Sequence, residues 1–189
     1  MSGQMSDVIV IDGEEFAVVE PTGDALFDAR SHGVSPVMIH TANTRGVAAR
    51  FRIDEGALSL SELQVGSIDA PPAIGGVEPT TDEHGQTWTY LNLNLPIAWT
   101  GDLIAGAQPI RKMIVLSGYL PVHHYEKVLA FDLEEGIVES TEDRSDQVRA
   151  FRDEQAGSDG PGDAGPEDEE NVFERFLSSL KIRFGHDEE

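Results

Sequence analysis

Hydrophobic and polar positions along the first two thirds of the chain fall into short alternating runs joined by acidic, glycine-bearing turns. Val8-Ile9-Val10-Ile11 and Phe16-Ala17-Val18-Val19 flank Asp12-Gly13, a dipeptide that reverses a chain because glycine supplies the positive φ of a tight turn. Pro21 stops the second run. Phe51 and Ile53 then alternate with Arg50, Arg52 and Asp54; beyond Glu55-Gly56, Leu58 and Leu60 alternate with Ser59 and Ser61. A period of two puts the apolar side chains on one side of a ribbon and the arginines and serines on the other. After a Pro- and Gly-rich loop at 66–86, Trp88, Tyr90, Leu91, Leu93 and Leu95 restore the alternation, with Asn92 and Asn94 opposite. Past Pro96, residues 98–104 predict another strand and Met113–Leu116 a short buried one. Tyr125–Leu133 predicts a longer strand that turns at Glu134-Glu135-Gly136 into Ile137-Val138. The expected fold is mainly β (α+β). Its antiparallel hairpins form a sheet, sandwich or partly open barrel in a domain spanning 1–140.

Two stretches carry a helical pattern. Thr22–Arg30 reads as one short helix, with Thr22 as N-cap, Leu26 and Phe27 turned inward, and Gly33 just past its end. Near the other end, Phe173, Phe176, Leu177, Leu180 and Phe184 fall at i, i+3, i+4, i+7 and i+11, one stripe of an amphipathic helix over 171–185. Asn171 with Glu174 resembles a capping box, Lys181 and Arg183 suit the negative end of the dipole, and Gly185 terminates the helix. Between the two units lies an acidic, disordered linker at 141–170. Val148 and Phe151 alone support a marginal helix there, and 156–170 holds no large apolar residue to offset the entropy of ordering. A tethered helix with three phenylalanines must dock on its own sheet, on a second copy or on another protein.

Charge narrows the choice of partners. The net charge of −22 repels nucleic-acid backbones and anionic membranes, so neither is expected as a direct partner. Only three of the 13 basic residues are lysines (Lys112, Lys127, Lys181), as in the proteins of a high-salt, halophilic cytoplasm or of a GC-rich genome. The run Glu167–Glu170 reads as a solvated surface, with attraction of a basic partner as the alternative. There is no cysteine, no basic segment followed by an apolar run at the start, and no apolar window of about 18 residues. A soluble, cytoplasmic protein is expected.

Read together, residues 41–63 and 99–138 resemble a family of small, largely uncharacterised bacterial proteins. The resemblance rests on Thr41, Ala42, Arg45, Gly46, Ile53, Gly56, Leu58 and Leu60 in a Thr-Ala-x-x-Arg-Gly … Ile-x-x-Gly-x-Leu-x-Leu block. It continues through Trp99, Gly101, Leu103, Gly118 and Tyr119 to a Tyr-Glu-x-x-Leu … Glu-x-Gly-Ile-Val block at 125–138. Val47 and Phe51 depart from the aromatic residue and tryptophan usual there. The resemblance supports the hairpins and implies no activity.

Candidate chemistry is sparse. Arg45, in Thr44-Arg45-Gly46, either grips a ligand's carboxylate or fixes the chain where it approaches the hairpin. His123 and His124 are neighbours on an extended segment and point apart, and His40 and His84 add no ligand spacing, so no metal is expected. No nucleophile motif, phosphate loop or nucleotide fingerprint is present, so neither a cofactor nor catalysis is expected. The first reading is a non-enzymatic interaction or assembly protein that docks through Phe173, Phe176, Leu177, Leu180 and Phe184. The second is a small enzyme or ligand-binding domain with a pocket around Arg45, Trp99, His123 and Tyr125. The third is an acidic, immunity-like inhibitor of a basic toxin or nuclease.

Overall fold

A computed structural model of the protein describes residues 3–23, 25–113, 118–157 and 166–183, without the side chains of 166–170. Among the described residues, ten strands form one sheet: β1 (Val8–Ile11), β2 (Glu14–Glu20), β3 (Val47–Asp54), β4 (Ala57–Gly66), β5 (Thr80–Thr81), β6 (Thr87–Tyr90), β7 (Leu95–Pro96), β8 (Gly101–Pro109), β9 (Tyr125–Glu134) and β10 (Ile137–Asp143). Two α-helices follow, α1 (Ser145–Gly157) and α2 (Pro166–Ser179). The fold is α+β, dominated by strands.

The three acidic turns act as hairpin loops. Asp12-Gly13, Glu55-Gly56 and Glu135-Gly136 each join a pair of strands through two residues at positive φ. Two positive values in succession are the mark of the type I′ turn, whose twist matches that of the flanking strands. The β3–β4 hairpin also carries a bulge. Arg50 pairs with Glu62 but Phe51 with Leu60, and the extra Ser61 gives its hydroxyl to the Arg50 carbonyl at 2.8 Å. The bulge moves the buried set of β4 by one position, from Leu58 and Leu60 to Leu63 and Val65.

The sheet order is β10-β9-β8-β2-β1-β3-β4-β6-β5, with β7 on the free stretch of β4. One pairing is parallel, β1 with β3, so the sheet is mixed rather than wholly antiparallel. Alternation fixes which side chains share a face but leaves strand neighbours and direction open. The sheet curls until β10 meets β4 at Ile137 and Ala57. There the Leu58 N–H donates to the Gly136 carbonyl and the Val138 N–H to the Gly56 carbonyl, both at 2.8 Å. Two hairpin turns thus stitch one end of a partly open barrel, and Ile9, Phe16, Phe51, Leu60, Leu63 and Tyr90 fill it.

Several expected elements are corrected. In place of a helix over Thr22–Arg30 stands a single 3-10 turn, Ala29–His32. Its cap is Asp28, which accepts from the Arg30 N–H at 2.9 Å, and Gly33 ends it at φ 78°. Leu91 to Asn94 is no strand: Asn92 and Asn94 take positive φ, leaving Leu91 exposed and Leu93 buried. Asparagine tolerates that conformation, so even spacing of leucines did not mean a pleat. Residues 141–157, expected as linker, complete β10 and form α1, because Val148 finds a fully buried site. Helix α2 starts at Pro166 rather than Asn171, as proline suits a first helical position, and it ends at Ser179. Residues 114–116 of the strand expected at Met113–Leu116 lie outside the described residues, as do 158–165, Phe184 and Gly185.

Candidate functional site

Strand β8 is buried without a break from Asp102 to Ala107. Alternate residues of a strand face opposite ways, so this run needs cover on both sides. Leu103 and Ala105 belong to the barrel interior. Ile104 belongs to a second apolar cluster with Val122, Tyr125 and Val128, which α1 and α2 roof over with Val148, Leu177 and Leu180. The terminal stripe therefore lies on its own sheet. Leu180 is fully buried and Leu177 nearly so, while Phe173 and Phe176 pack at the margin. Burial of a leucine of this kind contributes about 1.5–3 kcal/mol.

The aromatic margin ties the two helices together. The rings of Phe151 and Phe176 stack at 3.8 Å with 7° between their planes. His123 meets Phe151 and Phe173 edge-on at 5.7 and 5.6 Å and His124 at 4.4 Å. Arg152 on α1 clamps the same corner, donating at 2.9 Å to both the His123 and Tyr125 carbonyls. The Nδ1 atoms of both histidines are buried with no hydrogen-bond partner. Burial, with help from His124 and Arg152, pushes the His123 imidazole down to about 4. Burial also lowers His124, against a backbone hydrogen bond at Met113. Both rings are thus neutral near pH 7, and the corner behaves as an apolar joint.

Past the end of α2 the chain is latched by charge. Asp102 and Asp132 sit directly opposite each other on β8 and β9. One Asp102 oxygen accepts the N–H groups of Ile182 at 2.6 Å and Arg183 at 3.1 Å, a small nest of backbone donors around a buried carboxylate. The Arg183 guanidinium pairs with Asp132 and Glu134 and donates to the Leu133 carbonyl at 2.8 Å. Those two carboxylates raise the Arg183 pKa further. Like charges directly across a ladder destabilise it, so the paired aspartates call for an occupant that brings donors and a cation. Residues 182–183 supply both. Arg183, expected to serve the helix dipole, instead lies beyond the helix and serves the sheet.

Of the four residues expected to share a pocket, His123 and Tyr125 alone come together, under the helices. The Tyr125 ring covers Gly106, where an added Cβ would lie 2.5 Å from it. Burial pushes its hydroxyl up to about 12. Arg45 is a structural clamp: it pairs with Asp7 and donates to the carbonyls of Gly23 and Val47. Asp7 in turn accepts the Ala49 N–H at 2.9 Å, so the ion pair fixes the chain where it meets β3. Trp99 lines a separate open cleft of about 280 Å³ with Leu26, Phe27, Asp28 and His32. That volume is just under the usual range for small-molecule sites. No group of three or more His, Cys, Asp or Glu side chains among the described residues could hold a metal ion.

No family model, curated protein or solved structure matches the chain. Two glycines singled out in the sequence are required by the fold. At Gly46 and Gly136, with φ of 75° and 81°, any Cβ would strike the backbone carbonyl of Val37 or Ile97. These two glycines thus mark turns and close approaches of backbone.

Sequence reasoning missed Asp102, Asp132 and Arg152. The available signal was a carboxylate inside each of two apolar strands, Gly101-Asp102-Leu103-Ile104 and Ala130-Phe131-Asp132-Leu133. Recognising that they face each other requires the register.

Proposed function

We propose that this chain is a non-enzymatic interaction protein that works by docking and releasing its C-terminal helix. Docked, α2 covers Ile104, Val122 and Val128. Released, it offers its own stripe of Phe173, Phe176, Leu177 and Leu180 to a protein partner and leaves a helix-shaped bed on the sheet. The observation that carries this reading is the modular way α2 is held, by one apolar stripe, a hydrogen bond from the Gln147 side chain to the Ser179 hydroxyl at 3.0 Å, and a charged latch at its C-terminal end. The connecting residues 158–165, Ser-Asp-Gly-Pro-Gly-Asp-Ala-Gly, contain no large apolar side chain that would fix the helix more firmly.

A peptide of residues 166–183 provides the test, titrated into full-length protein carrying Leu180→Ala. That substitution loosens the resident helix without altering the bed. The peptide is expected to bind this variant saturably and wild type far more weakly. Absence of saturable binding to the loosened variant would end the proposal.

No helix among the described residues is long and apolar enough to cross a membrane.

A further inference from the structure

We infer that the cleft beside Trp99, at the stitched end of the barrel, is a docking site for an extended peptide segment that seats one apolar side chain flanked by lysine or arginine. The site is separate from the bed of α2 and stands or falls without it.

Two runs of chain wall the cleft, one within residues 25–32 and one at 95–99. Its apolar side is fixed: Leu26, Phe27 and Ile97 are buried, and the Phe27 ring stacks on His32 at 4.9 Å with 20° between the planes. The wall at 95–99 is pinned along one edge. Strand β7 pairs with β4, the Ile97 N–H donates to the Leu58 carbonyl at 3.1 Å, and the Trp99 carbonyl accepts the Gly136 N–H at 2.8 Å. Ala98, between them, is exposed, and among the described residues its N–H and carbonyl make no hydrogen bond. Successive residues of an extended run aim their main-chain groups to opposite sides, so Ala98 turns its donor and acceptor away from β4. The indole N–H of half-buried Trp99 also has no acceptor among the described residues. An apolar slot is thus bordered by one main-chain donor, one main-chain acceptor and one indole donor.

A peptide satisfies this set. A residue set opposite Ala98 exchanges both main-chain hydrogen bonds with it, and a neighbouring carbonyl takes the indole proton. The volume of about 280 Å³ is small for a whole ligand and suits one side chain of a longer one. The flanking charge follows from the rim. The Glu135 N–H donates to the Thr100 hydroxyl at 2.8 Å, which sets the β9–β10 turn against the residue after Trp99. The bond from the Leu58 N–H to the Gly136 carbonyl brings the β3–β4 turn beside it. Asp54, Glu55 and Glu135 on these turns are exposed and make no ion pair among the described residues. Free carboxylates next to an apolar slot favour a cation next to the seated residue.

Four capped peptides titrated into isotope-labelled full-length protein test the inference, read by the nuclear magnetic resonances of the Ala98 amide and the Trp99 indole. The first is Ser-Lys-Leu-Lys-Ser. The second has alanine in place of the leucine, the third is methylated at the leucine nitrogen, and the fourth has glutamate in place of both lysines. The first peptide is expected to shift both resonances saturably. The second and third are expected to bind about tenfold or more weakly, one for want of the apolar side chain and the other of a main-chain donor. The fourth is expected to bind more weakly than the first at low salt, by a margin that narrows as salt is added. Absence of saturable shifts at Ala98 and Trp99 with the first peptide overturns the inference. Equal binding by the second, third or fourth peptide overturns it as well, since the slot, the main-chain pairing or the flanking charge would then not be read.

Discussion

Asp102 and Asp132 face each other across the β8–β9 ladder, 30 residues apart in sequence, and the two residues that reconcile them come from the far end of the chain. Ile182 and Arg183 place two backbone donors and one guanidinium between and beside the carboxylates. The sheet is thus completed, electrostatically, by residues that follow its last helix.

This relationship predicts a reversal of sign. In wild type, Asp132→Asn removes a partner of Arg183 and lowers the stability of the docked helix. In an Arg183→Ala background the same change relieves two unneutralised carboxylates and raises it. Chemical denaturation of the four proteins in the cycle, at low salt, checks the sign; identical effects of Asp132→Asn in both backgrounds would show that the latch is not coupled.

Asp102→Ala leaves the Ile182 and Arg183 N–H groups without their acceptor in a buried corner. Its expected cost is about 1–3 kcal/mol, read as a lower denaturation midpoint. Protease sensitivity should rise in 171–183, and the barrel strands should keep their protection.

The stacked pair Phe151 and Phe176 joins α1 to α2. Truncating each to alanine, singly and together, is expected to give a coupling of about 0.5–1.5 kcal/mol. Leu180→Ala, at the fully buried centre of the same contact, should cost about 2–5 kcal/mol of helix docking.

Acid should weaken the joint. A released His123 or His124 titrates near its ordinary value, whereas the docked rings resist protonation because burial and Arg152 disfavour their charge. Between about pH 6.5 and 4 the released state therefore binds more protons, and docking, complete above that window, is lost as the pH falls through it. Arg152 and Glu126 are the charged groups at this corner, and the rings of Phe151 and Phe173 face His123. With solvent screening discounted, the effect of His123 is about 1–2 kcal/mol. His123→Phe keeps an aromatic ring and should flatten the dependence of α2 protection on pH across this window; an unchanged profile would exclude His123 as the cause.

Gly136 tests the closure of the barrel. Its φ of 81° and its approach to the Ile97 carbonyl exclude a side chain, whereas Gly13, at φ 80°, has open space around it. Gly136→Ala should therefore destabilise by more than the about 1–2 kcal/mol expected from conformation alone at Gly13→Ala, as thermal unfolding of the two variants would show.

The hairpins were legible because their cause is local. A pair such as Asp12-Gly13 or Glu135-Gly136 can take two positive φ values, and the flanking alternation declares which face is buried. The shift at Ser61, the parallel pairing of β1 with β3 and the contact between Ile137 and Ala57 depend on partners remote in sequence, so no window of residues contains them. The stripe on α2 was equally plain, and its docking place was not. An apolar face announces that it must be covered and says nothing of the cover. Arg45 shows the same limit in miniature: Thr-Arg-Gly marks a guanidinium off the pleat, but only the fold brings Asp7 and the Gly23 carbonyl to it. Arg183 was misplaced for a related reason, since its partners, Asp132 and Glu134, lie some 50 residues away.

The central claim is that α2 is docked on the β8–β9 face and opens separately from the barrel. Residue-resolved amide hydrogen exchange of the full-length protein near pH 7 tests it most directly. The Ile182 and Arg183 amides should exchange more slowly than exposed loop amides such as that of Gly76, yet faster than those of Leu103 and Phe131 in the barrel. Exchange at the rate of Leu103 and Phe131 would mean that the helix never leaves without the whole fold, and exchange at the unprotected rate would mean that it never docks; either result contradicts the account.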